Sequence, residues 1–329
     1  MIAVAQFGAG RIGQIHARNV AAGGAARIKY IIDVNRPAAE GLAAAVGAQV
    51  TDADSALADA EIGAVVIATS TDTHADLIEA AARAGKSIFC EKPIDLDLAR
   101  TKACLKAVAK AAVPLLIGFN RRFDPSFAAL KESLDAGRIG KLENLSIISR
   151  DPAPPPAGYV ARSGGLFRDM MIHDFDMSRW LLGAEPVRVY ARGSVLVDPA
   201  IGKAGDIDSA VVVLETAAGV LCQIVNSRRA TFGYDQRIEA FGEKGMLLAG
   251  NRDPRSLHLW NDSGMTGEKP HYSFLERYAE AYQVEMAHFF AFVAGREKSL
   301  RVTVYDGLRA LEVAEAANQS LKSGQAVEL

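Results

Sequence analysis

Short apolar runs alternate with helix-periodic segments over the first third of the chain. Runs that are apolar throughout and bounded by turn residues predict strands, at 2–8, 28–33, 63–69, 87–91 and 114–119. Between them, apolar residues spaced three and four apart predict helices, at 11–22, 36–47, 74–85 and 97–111. Apolar strands separated by such helices indicate βαβ units and a parallel sheet buried on both faces. We expect this α/β domain to comprise residues 1–120.

The pattern changes in the rest of the chain. Strand-like runs now follow one another with turn signals and few helices between them, at 187–197, 209–230, 236–250 and 256–262. Such a pattern predicts a mostly antiparallel sheet, and therefore an α+β domain over residues 121–329. The remaining signals predict a proline-rich loop at 151–158, helices at 166–182, 275–294 and 304–322, and a final strand in the closing Ala-Val-Glu-Leu.

Bulk properties narrow the class of protein. The chain has 329 residues, which favours two domains, and a formal net charge of −2 without long basic runs. We therefore expect no binding to nucleic acid or to an anionic membrane surface. The apolar runs are far shorter than the roughly 20 residues that span a bilayer. Three cysteines without C-x-x-C spacing suggest neither a zinc knuckle nor disulfides, so we expect a cytoplasmic protein.

A glycine motif follows the first predicted strand. Gly8-Ala9-Gly10-Arg11-Ile12-Gly13 is a G-x-G-x-x-G that also opens the first predicted helix, the context that a dinucleotide-binding fingerprint needs. The first glycine permits the tight turn, the second lets the pyrophosphate approach the backbone, and the third lets helix and strand pack closely. The free N–H groups of the helix start attract phosphate.

Two residues near the second strand bear on the choice of cofactor. Asp33 ends that strand, where an acid binds the adenine ribose hydroxyls, and it would repel the 2′-phosphate of NADP. Arg36 is near enough to pair with such a phosphate. We expect NAD, with NADP less favoured. The segment 69–74 follows the third strand and should line the cofactor through Thr69, Ser70, Thr71 and His74, although it could also simply cap the next helix.

Several further motifs resemble one known family along the whole chain. They are FCEKP (89–93), GFNRRFDP (118–125), IGKL (139–142) and the D-x-x-x-H at 169–173, together with the glycine motif and Asp33. The sequence resembles the Gfo/Idh/MocA oxidoreductases, which join an N-terminal Rossmann domain to a C-terminal α/β domain with an open antiparallel sheet. Within that family, RDP (150–152) and the segments 164–176 and 232–245 are most similar to inositol 2-dehydrogenases.

The resemblance implies roles for individual residues. It places the catalytic groups at Lys92, Asp169 and His173, and the cofactor contacts beyond the fingerprint at Glu91, Lys92 and Asn120. It also implies that the substrate is bound by these three catalytic groups and by Arg121, Asp151, Tyr234 and Tyr282. The implied reaction is NAD-dependent oxidation of myo-inositol, or a related inositol, to a keto-inositol. The implied partners are a polyol substrate and further copies of the chain, as a tetramer or a dimer.

The segment 166–182 can be examined as a helix with about 100° per residue. Asp169, His173, Asp176 and Trp180 then share an arc of roughly 60°, which predicts one narrow polar strip on a buried helix. Asp169 and His173 are four residues apart, so the carboxylate can orient the imidazole as a general base. Lys92 would stabilise alkoxide charge on the reacting oxygen. Asp174 points away from the strip and is expected to be a surface or interface charge.

Some alternatives stay open at this point. Asp176 could support the site or cap a loop, and the strip offers no clear further ligand set for a metal, so we expect none. His16 is expected to make a polar contact inside the nucleotide domain. A dehydrogenase of aldoses or other sugars, using NAD or NADP, is the alternative enzyme. A catalytically silent, nucleotide-sensing regulator is less favoured because Lys92, Asp169 and His173 are all present.

Overall fold

The structure is a computed structural model that describes residues 1–329, except for the side chains at 157 and 161. The chain divides into two compact units: residues 1–123 with 280–311, and residues 124–279 with 312–329. The elements up to residue 123 are β1 (Ile2–Phe7), α1 (Arg11–Gly23), β2 (Ala26–Ile32), α2 (Arg36–Val46), β3 (Gln49–Val50), α3 (Ala53–Ala58), β4 (Ile62–Ile67), α4 (His74–Arg83), β5 (Ser87–Glu91), α5 (Leu98–Ala111) and β6 (Leu115–Gly118). Short 3-10 helices span Thr71–Thr73 and Asn120–Phe123.

The later elements run to the end of the chain. They are α6 (Pro125–Asp135), β7 (Leu142–Arg150), α7 (Ala157–Ser163), α8 (Gly165–Asp169), α9 (Ile172–Leu182), β8 (Pro186–Ser194), α10 (Pro199–Lys203), β9 (Ser209–Thr216), β10 (Leu221–Ser227), β11 (Asp235–Gly242), β12 (Gly245–Ala249), β13 (His258–Asn261), β14 (Gly264–Gly267), α11 (Phe274–Arg277), α12 (Ala279–Val293), α13 (Val304–Ser323) and β15 (Val327–Glu328).

The first unit is built on a parallel sheet with the strand order β3-β2-β1-β4-β5-β6. Every neighbouring pair is parallel, and the side chains of β4 from Ala64 to Ile67 are fully buried, as an apolar strand covered on both faces requires. The strand order reverses between β1 and β4. Ligands of such sheets bind outside the carboxyl ends of the strands at this point. The predicted parallel sheet is confirmed.

The first unit also includes a part of the chain that the sequence placed elsewhere. Tyr282 and Phe289 on α12 stand edge-on to His16 and Phe89, with ring centroids 5.7 Å and 5.9 Å apart. These aromatic contacts explain why residues 280–311 belong to this unit, whereas the sequence placed all of 121–329 in the second domain.

The second unit contains a seven-stranded sheet ordered β12-β11-β7-β10-β9-β8-β15. All neighbours in it are antiparallel except β7 and β10, which run parallel. One face is buried and includes Ile147, Val212 and Ile224. The expected mostly antiparallel sheet and its closing strand, β15, are confirmed. Strand β7 was not predicted, although its alternating burial is typical of a strand with one covered face.

The predicted helix over 166–182 forms in two pieces. The carbonyl of Leu166 accepts hydrogen bonds from the N–H groups of both Met170 and Met171, at 3.0 Å and 2.9 Å. The second of these bonds spans five residues and interrupts the ordinary ladder, so α8 ends at Asp169 and α9 starts at Ile172. The predicted helix over 275–294 is also divided, into α11 and α12.

Candidate active site

The glycine motif forms a tight cradle after β1. Gly8 has φ of +102°, and a Cβ atom there would lie 2.3 Å from the carbonyl oxygen of Ala68. A Cβ atom at Gly13 would lie 2.2 Å from the carbonyl oxygen of Gly8. At Gly10, by contrast, no atom of the described structure lies within 4 Å of that position. Gly8 and Gly13 are therefore required by the fold, whereas Gly10 keeps open space at the start of α1.

The start of α1 is suited to an anion. Its N-cap, Gly10, provides no side-chain hydrogen bond, and the first turn contains no acidic residue, so the helix start keeps its positive potential. Asp33 lies beside it. Its two carboxylate oxygens accept hydrogen bonds from the backbone N–H groups of Ala9 (2.6 Å) and Asn35 (2.7 Å). Each oxygen retains acceptor capacity for a ribose hydroxyl. The cradle and Asp33 together fit a dinucleotide.

Arg36 has a partner of its own. Its Nε donates to Glu40 Oε1 at 2.8 Å across one helical turn, and both side chains are exposed. A 2′-phosphate would have to compete with Glu40 for this guanidinium. This pairing adds to the repulsion from Asp33 and favours NAD over NADP.

The loop after β4 is held by a buried histidine. His74 Nδ1 lies 2.8 Å from the carbonyl oxygen of Pro93, and Nε2 lies 3.2 Å from that of Thr69. Burial lowers the pKa of His74. Both ring nitrogens face carbonyl groups, so His74 fixes the Thr69 loop to the loop after β5 rather than presenting its ring to a ligand. Thr69 and Thr71 remain partly exposed, and Ser70 is exposed.

Glu91 and Lys92 end β5 at the same edge of the sheet. Glu91 Oε1 lies 2.7 Å from Nε2 of His16, whose ring is fully buried. The interpretation of His16 as a polar contact within this unit is thereby confirmed. Tyr282 packs edge-on against the same ring and is 6% exposed. Lys92 is half-buried and is the residue after Glu91 in the chain.

The segment after β6 contributes buried polar groups. Asn120 is 2% exposed, and its Nδ2 has no hydrogen-bond partner among the described residues. An unpartnered buried donor suits a carbonyl or hydroxyl acceptor on a ligand. The two arginines that follow differ in role. Arg122 pairs with Asp306 at 2.7 Å and with the carbonyl of Arg301, so it serves the fold. Arg121, which the sequence assigned to the substrate, is also buried.

In the second unit, Asp169 is fixed from two sides. Its Oδ1 accepts a hydrogen bond from the hydroxyl of Tyr159 at 2.8 Å. Its Oδ2 accepts one from Nη2 of Arg228 at 3.1 Å. Asp169 is the last residue of α8 and His173 lies in the first turn of α9, so the helix break separates the two. The sequence predicted one continuous helix with Asp169 and His173 one turn apart. This prediction is wrong, because the helix is interrupted between the two residues.

Arg228 and Tyr159 are the residues that the sequence analysis missed. Arg228 is 3% exposed, and its Nη1 also lies 3.5 Å from Oδ2 of Asp151. The sequence showed only a pair of arginines at a strand end, which usually means solvated charge. Tyr159 lies on α7, directly after the loop predicted over 151–158, in a stretch for which no element was predicted. The pairing of β7 with β10 brings Asp151 to Arg228, and this pairing has no local signature in the sequence.

Asp174 is not a surface or interface charge within this chain. It is fully buried and accepts hydrogen bonds from the hydroxyl of Ser149 (2.6 Å) and the amide of Asn226 (2.9 Å). The prediction was wrong because the back of α9 faces polar side chains of β7 and β10, not solvent. Asp176 is also fully buried, 3.9 Å from Arg179, so the predicted polar strip is not exposed along its length.

Tyr234 is buried and lies edge-on to Tyr278, with ring centroids 6.0 Å apart. Its backbone N–H donates to the carbonyl of His271 at 2.9 Å.

In the described part of the chain, no cluster of three or more His, Cys, Asp or Glu side chains could hold a metal ion. No helix among the described residues is long and apolar enough to cross a membrane.

Comparison with known proteins identifies the family. Residues 2–119 match the oxidoreductase family with NAD-binding Rossmann fold, and residues 127–248 match the GFO/IDH/MocA C-terminal domain. An inositol 2-dehydrogenase from Rhizobium meliloti is 51% identical over 98% of both chains. The chain belongs to the GFO/IDH/MocA oxidoreductase family. A second member, a myo-inositol 2-dehydrogenase from Thermotoga maritima, is 45% identical over 98% of this chain and 97% of that protein.

Solved structures of this oxidoreductase family share the whole fold. A myo-inositol dehydrogenase from Corynebacterium glutamicum is 43% identical with a TM-score of 0.95, over 100% of this chain and 99% of that one. Two enzymes from Lactobacillus casei also match. The scyllo-inositol dehydrogenase with NAD(H) and scyllo-inositol is 30% identical, TM-score 0.92, over 100% and 99% of the two chains. The myo-inositol dehydrogenase with NAD(H) and myo-inositol is 26% identical, TM-score 0.89, over 100% and 97%.

Proposed function

We propose that the protein is an NAD-dependent inositol 2-dehydrogenase that oxidises myo-inositol, or a related inositol, to the 2-keto-inositol. The full-length likeness to inositol 2-dehydrogenases, at 51% identity over 98% of the chain, carries this proposal. Two related structures contain NAD(H) together with an inositol. The site residues implied by the family, Lys92, Asp169 and His173, are all present in this chain.

The residues of the first unit fit NAD. The open space at Gly10 admits the pyrophosphate to the start of α1, and Asp33 accepts the ribose hydroxyls. The buried amide of Asn120 offers a hydrogen bond to the ligand. NAD, when bound, accepts the hydride that leaves the carbinol carbon of the substrate.

The remaining chemistry belongs to the protein. His173 takes the proton of the reacting hydroxyl as general base. Lys92 donates a hydrogen bond to the same oxygen and stabilises the negative charge that develops as the proton leaves. Asp169, whose carboxylate is held by Tyr159 and Arg228, accepts a hydrogen bond from a neighbouring substrate hydroxyl. Arg121, Asp151, Tyr234 and Tyr282 complete the proposed contacts with the polyol.

A spectrophotometric screen tests the activity. Purified protein is incubated with NAD or NADP and with myo-, scyllo- or chiro-inositol or common aldoses, and reduced cofactor is followed at its absorption band. We expect turnover of an inositol with NAD and much weaker turnover with NADP. Turnover of glucose but of no inositol would instead assign the chain to the aldose dehydrogenases of the family. Cofactor binding without turnover of any substrate would indicate a nucleotide-sensing protein.

A histidine substitution tests the mechanism. His173→Ala should lower kcat by roughly 100- to 10,000-fold, the contribution of a well-placed general base. His258→Ala, which changes an exposed histidine on β13, is the matched control and should behave as the wild type. Near-normal turnover by His173→Ala would remove His173 from the role of base.

We also propose that the protein is a homo-oligomer, a dimer or a tetramer. The strand register places Tyr190, Val211, Leu221, Phe241, Met246 and Leu248 on the same face of the second sheet, and all six are exposed. Six exposed apolar side chains on one face of a sheet favour an interaction surface. Light scattering coupled to size-exclusion chromatography should give a multiple of 35.0 kDa for the wild type. The double variant Phe241→Glu, Leu248→Glu should give a smaller assembly.

A further inference from the structure

We propose that Arg228 is a positioning residue that holds the carboxylates of Asp151 and Asp169 in one arrangement, and thereby determines how the enzyme orients its cyclic polyol. The inference rests on the proposed function, because it assigns these carboxylates to substrate hydroxyls. All three residues belong to the second unit.

The strand register brings the first carboxylate to Arg228. Strands β7 and β10 are parallel neighbours, and their last paired residues are Arg150 and Ser227. Asp151 and Arg228 are the next residues of the two strands, and the N–H of Asp151 donates to the carbonyl of Ser227 at 2.9 Å. Because parallel strands end at the same edge, both side chains leave the sheet together. Arg228 Nη1 thus comes to lie 3.5 Å from Asp151 Oδ2.

The second carboxylate reaches Arg228 from a helix end. Asp169 closes α8, where the last carbonyl groups disfavour a negative charge. Nη2 of Arg228 donates to Asp169 Oδ2 at 3.1 Å and compensates that charge. The guanidinium is planar and its donors are fixed in a fork, so the hydrogen bond to Asp169 and the ion pair with Asp151 together constrain the separation of the two carboxylates.

Burial shows that Arg228 is not an ordinary surface charge. The residue is 3% exposed, and its Nε has no hydrogen-bond partner among the described residues. An unpartnered buried donor costs free energy of folding. Arg228 is therefore poorly explained by stability alone. Its two terminal nitrogens, by contrast, face the carboxylates that are proposed to bind neighbouring hydroxyls of the ring.

Three variants of the full-length enzyme test the assignment. Arg228→Met removes the charge and the fork while keeping a long side chain, Arg228→Lys keeps the charge only, and Arg229→Met changes the exposed neighbouring arginine as a control. For each, kcat and KM are measured with myo- and scyllo-inositol, which differ in the orientation of one hydroxyl. The dissociation constant of NADH, measured by fluorescence, reports whether the first unit is intact.

We expect Arg228→Met to lose about 100-fold in kcat/KM, the loss that a displacement of about 1 Å causes at a reacting centre. KM should rise, and the ratio of kcat/KM between the two isomers should change. This ratio does not depend on the fraction of folded enzyme. Arg228→Lys should recover only part of the activity, because an ammonium group cannot reproduce the fork. Arg229→Met and all NADH dissociation constants should match the wild type.

Two results would overturn the proposal. One is an Arg228→Met enzyme with lower stability but an unchanged KM and an unchanged isomer ratio, which would make Arg228 purely structural. The other is a crystal structure of Arg228→Met in which the Asp151 and Asp169 carboxylates keep their wild-type positions. The crystallographic result does not need a substrate, so it tests this inference alone. The proposed function fails separately, if the wild-type enzyme is inactive on every inositol.

Discussion

Lys92 provides the positive charge that the proposed reaction needs at the oxygen of the reacting hydroxyl. We expect Lys92→Met to lower kcat by roughly 100- to 1000-fold, the effect of removing one donor to a developing oxyanion. Lys110→Met changes an exposed lysine on α5 and should be neutral. Steady-state kinetics with the inositol found by the screen measure both. If Lys92→Met changed KM alone, the residue would bind the substrate without stabilising charge.

At the scale of the residue, local motifs were better guides than charge counts. The glycine fingerprint and Asp33 could be placed from their spacing, because Gly8 and Gly13 are sterically required by one turn and Gly10 keeps open space beside it. The spacing of the acidic residues around His173 did not show which of them are buried and which face the site. Asp174 looks exposed on a helical projection, yet Ser149 and Asn226 bury it with two hydrogen bonds. Arg228 was not identified because its partners come from distant parts of the chain.

The elements α9, β7 and β10 meet at Asp174, which links one helix to two strands. We expect Asp174→Ala to destabilise the protein by about 2–4 kcal/mol, because it leaves the buried amide of Asn226 without its acceptor and the hydroxyl of Ser149 with Gln236 as acceptor. The unfolding temperature, measured by calorimetry, should fall by roughly 3–6 °C. Asp253→Ala, at an exposed position, is the control. Loss of activity without loss of stability would contradict this structural role.

The turn between β1 and α1 allows a second comparison. A Cβ atom at Gly13 would collide with the carbonyl of Gly8, whereas a Cβ atom at Gly10 would meet no atom of the described structure. We therefore expect Gly13→Ala to destabilise the fold. Gly10→Ala should fold but raise the NAD dissociation constant by roughly tenfold or more, because a methyl group then fills the approach of the pyrophosphate. Calorimetry and fluorescence titration separate the two effects. Equal NAD affinity in Gly10→Ala and the wild type would contradict the fit.

Among the elements, long periodic segments were predicted best. The predicted strands and helices of the first unit follow their hydrophobic patterns, because the strands β1, β4, β5 and β6 are largely buried. The short edge strand β3 (Gln49–Val50) was not predicted. The break between α8 and α9 was not predicted, since Met170 and Met171 are good helix formers. The break arises where the Leu166 carbonyl accepts two N–H groups, and the sequence carries no local signal for this arrangement.

For the whole molecule, two buried histidines link stability to pH. Burial lowers the pKa of His74 and of His288, whose Nε2 accepts a hydrogen bond from the N–H of Arg301 at 3.0 Å. Both are neutral in the folded protein and protonate more readily in the unfolded chain. Their contribution to stability is therefore complete above about pH 6.5, the ordinary histidine value, and declines as the pH falls below it.

The unfolding temperature should accordingly fall by several degrees when the pH is lowered from 7.5 to 5.5. His288→Gln keeps an acceptor but cannot protonate, so its unfolding temperature should depend less on pH. His258→Gln, at an exposed site, should keep the wild-type slope. Scanning calorimetry over this range gives both slopes, and parallel curves for His288→Gln and the wild type would contradict the assignment.

The domain plan was the hardest feature to infer from the sequence. The change of hydrophobic pattern near residue 120 lies close to residue 123, where the chain first passes from one unit to the other. Residues 280–311, however, belong to the first unit again. The aromatic contacts of Tyr282 and Phe289 that accompany this return join positions that are 200 residues or more apart along the chain. Hydrophobic periodicity identifies a helix such as α12 but does not show which unit buries it.

This return has a consequence for synthesis on the ribosome. The nucleotide-binding unit cannot be completed when residue 123 emerges, because its last part ends only at residue 311. At about 5–20 residues per second, the nascent sheet waits roughly 10–40 s for α12. During that interval the surfaces of His16 and Phe89 that later contact Tyr282 and Phe289 lack those partners. The aromatic packing of the first unit therefore forms only in the last part of translation.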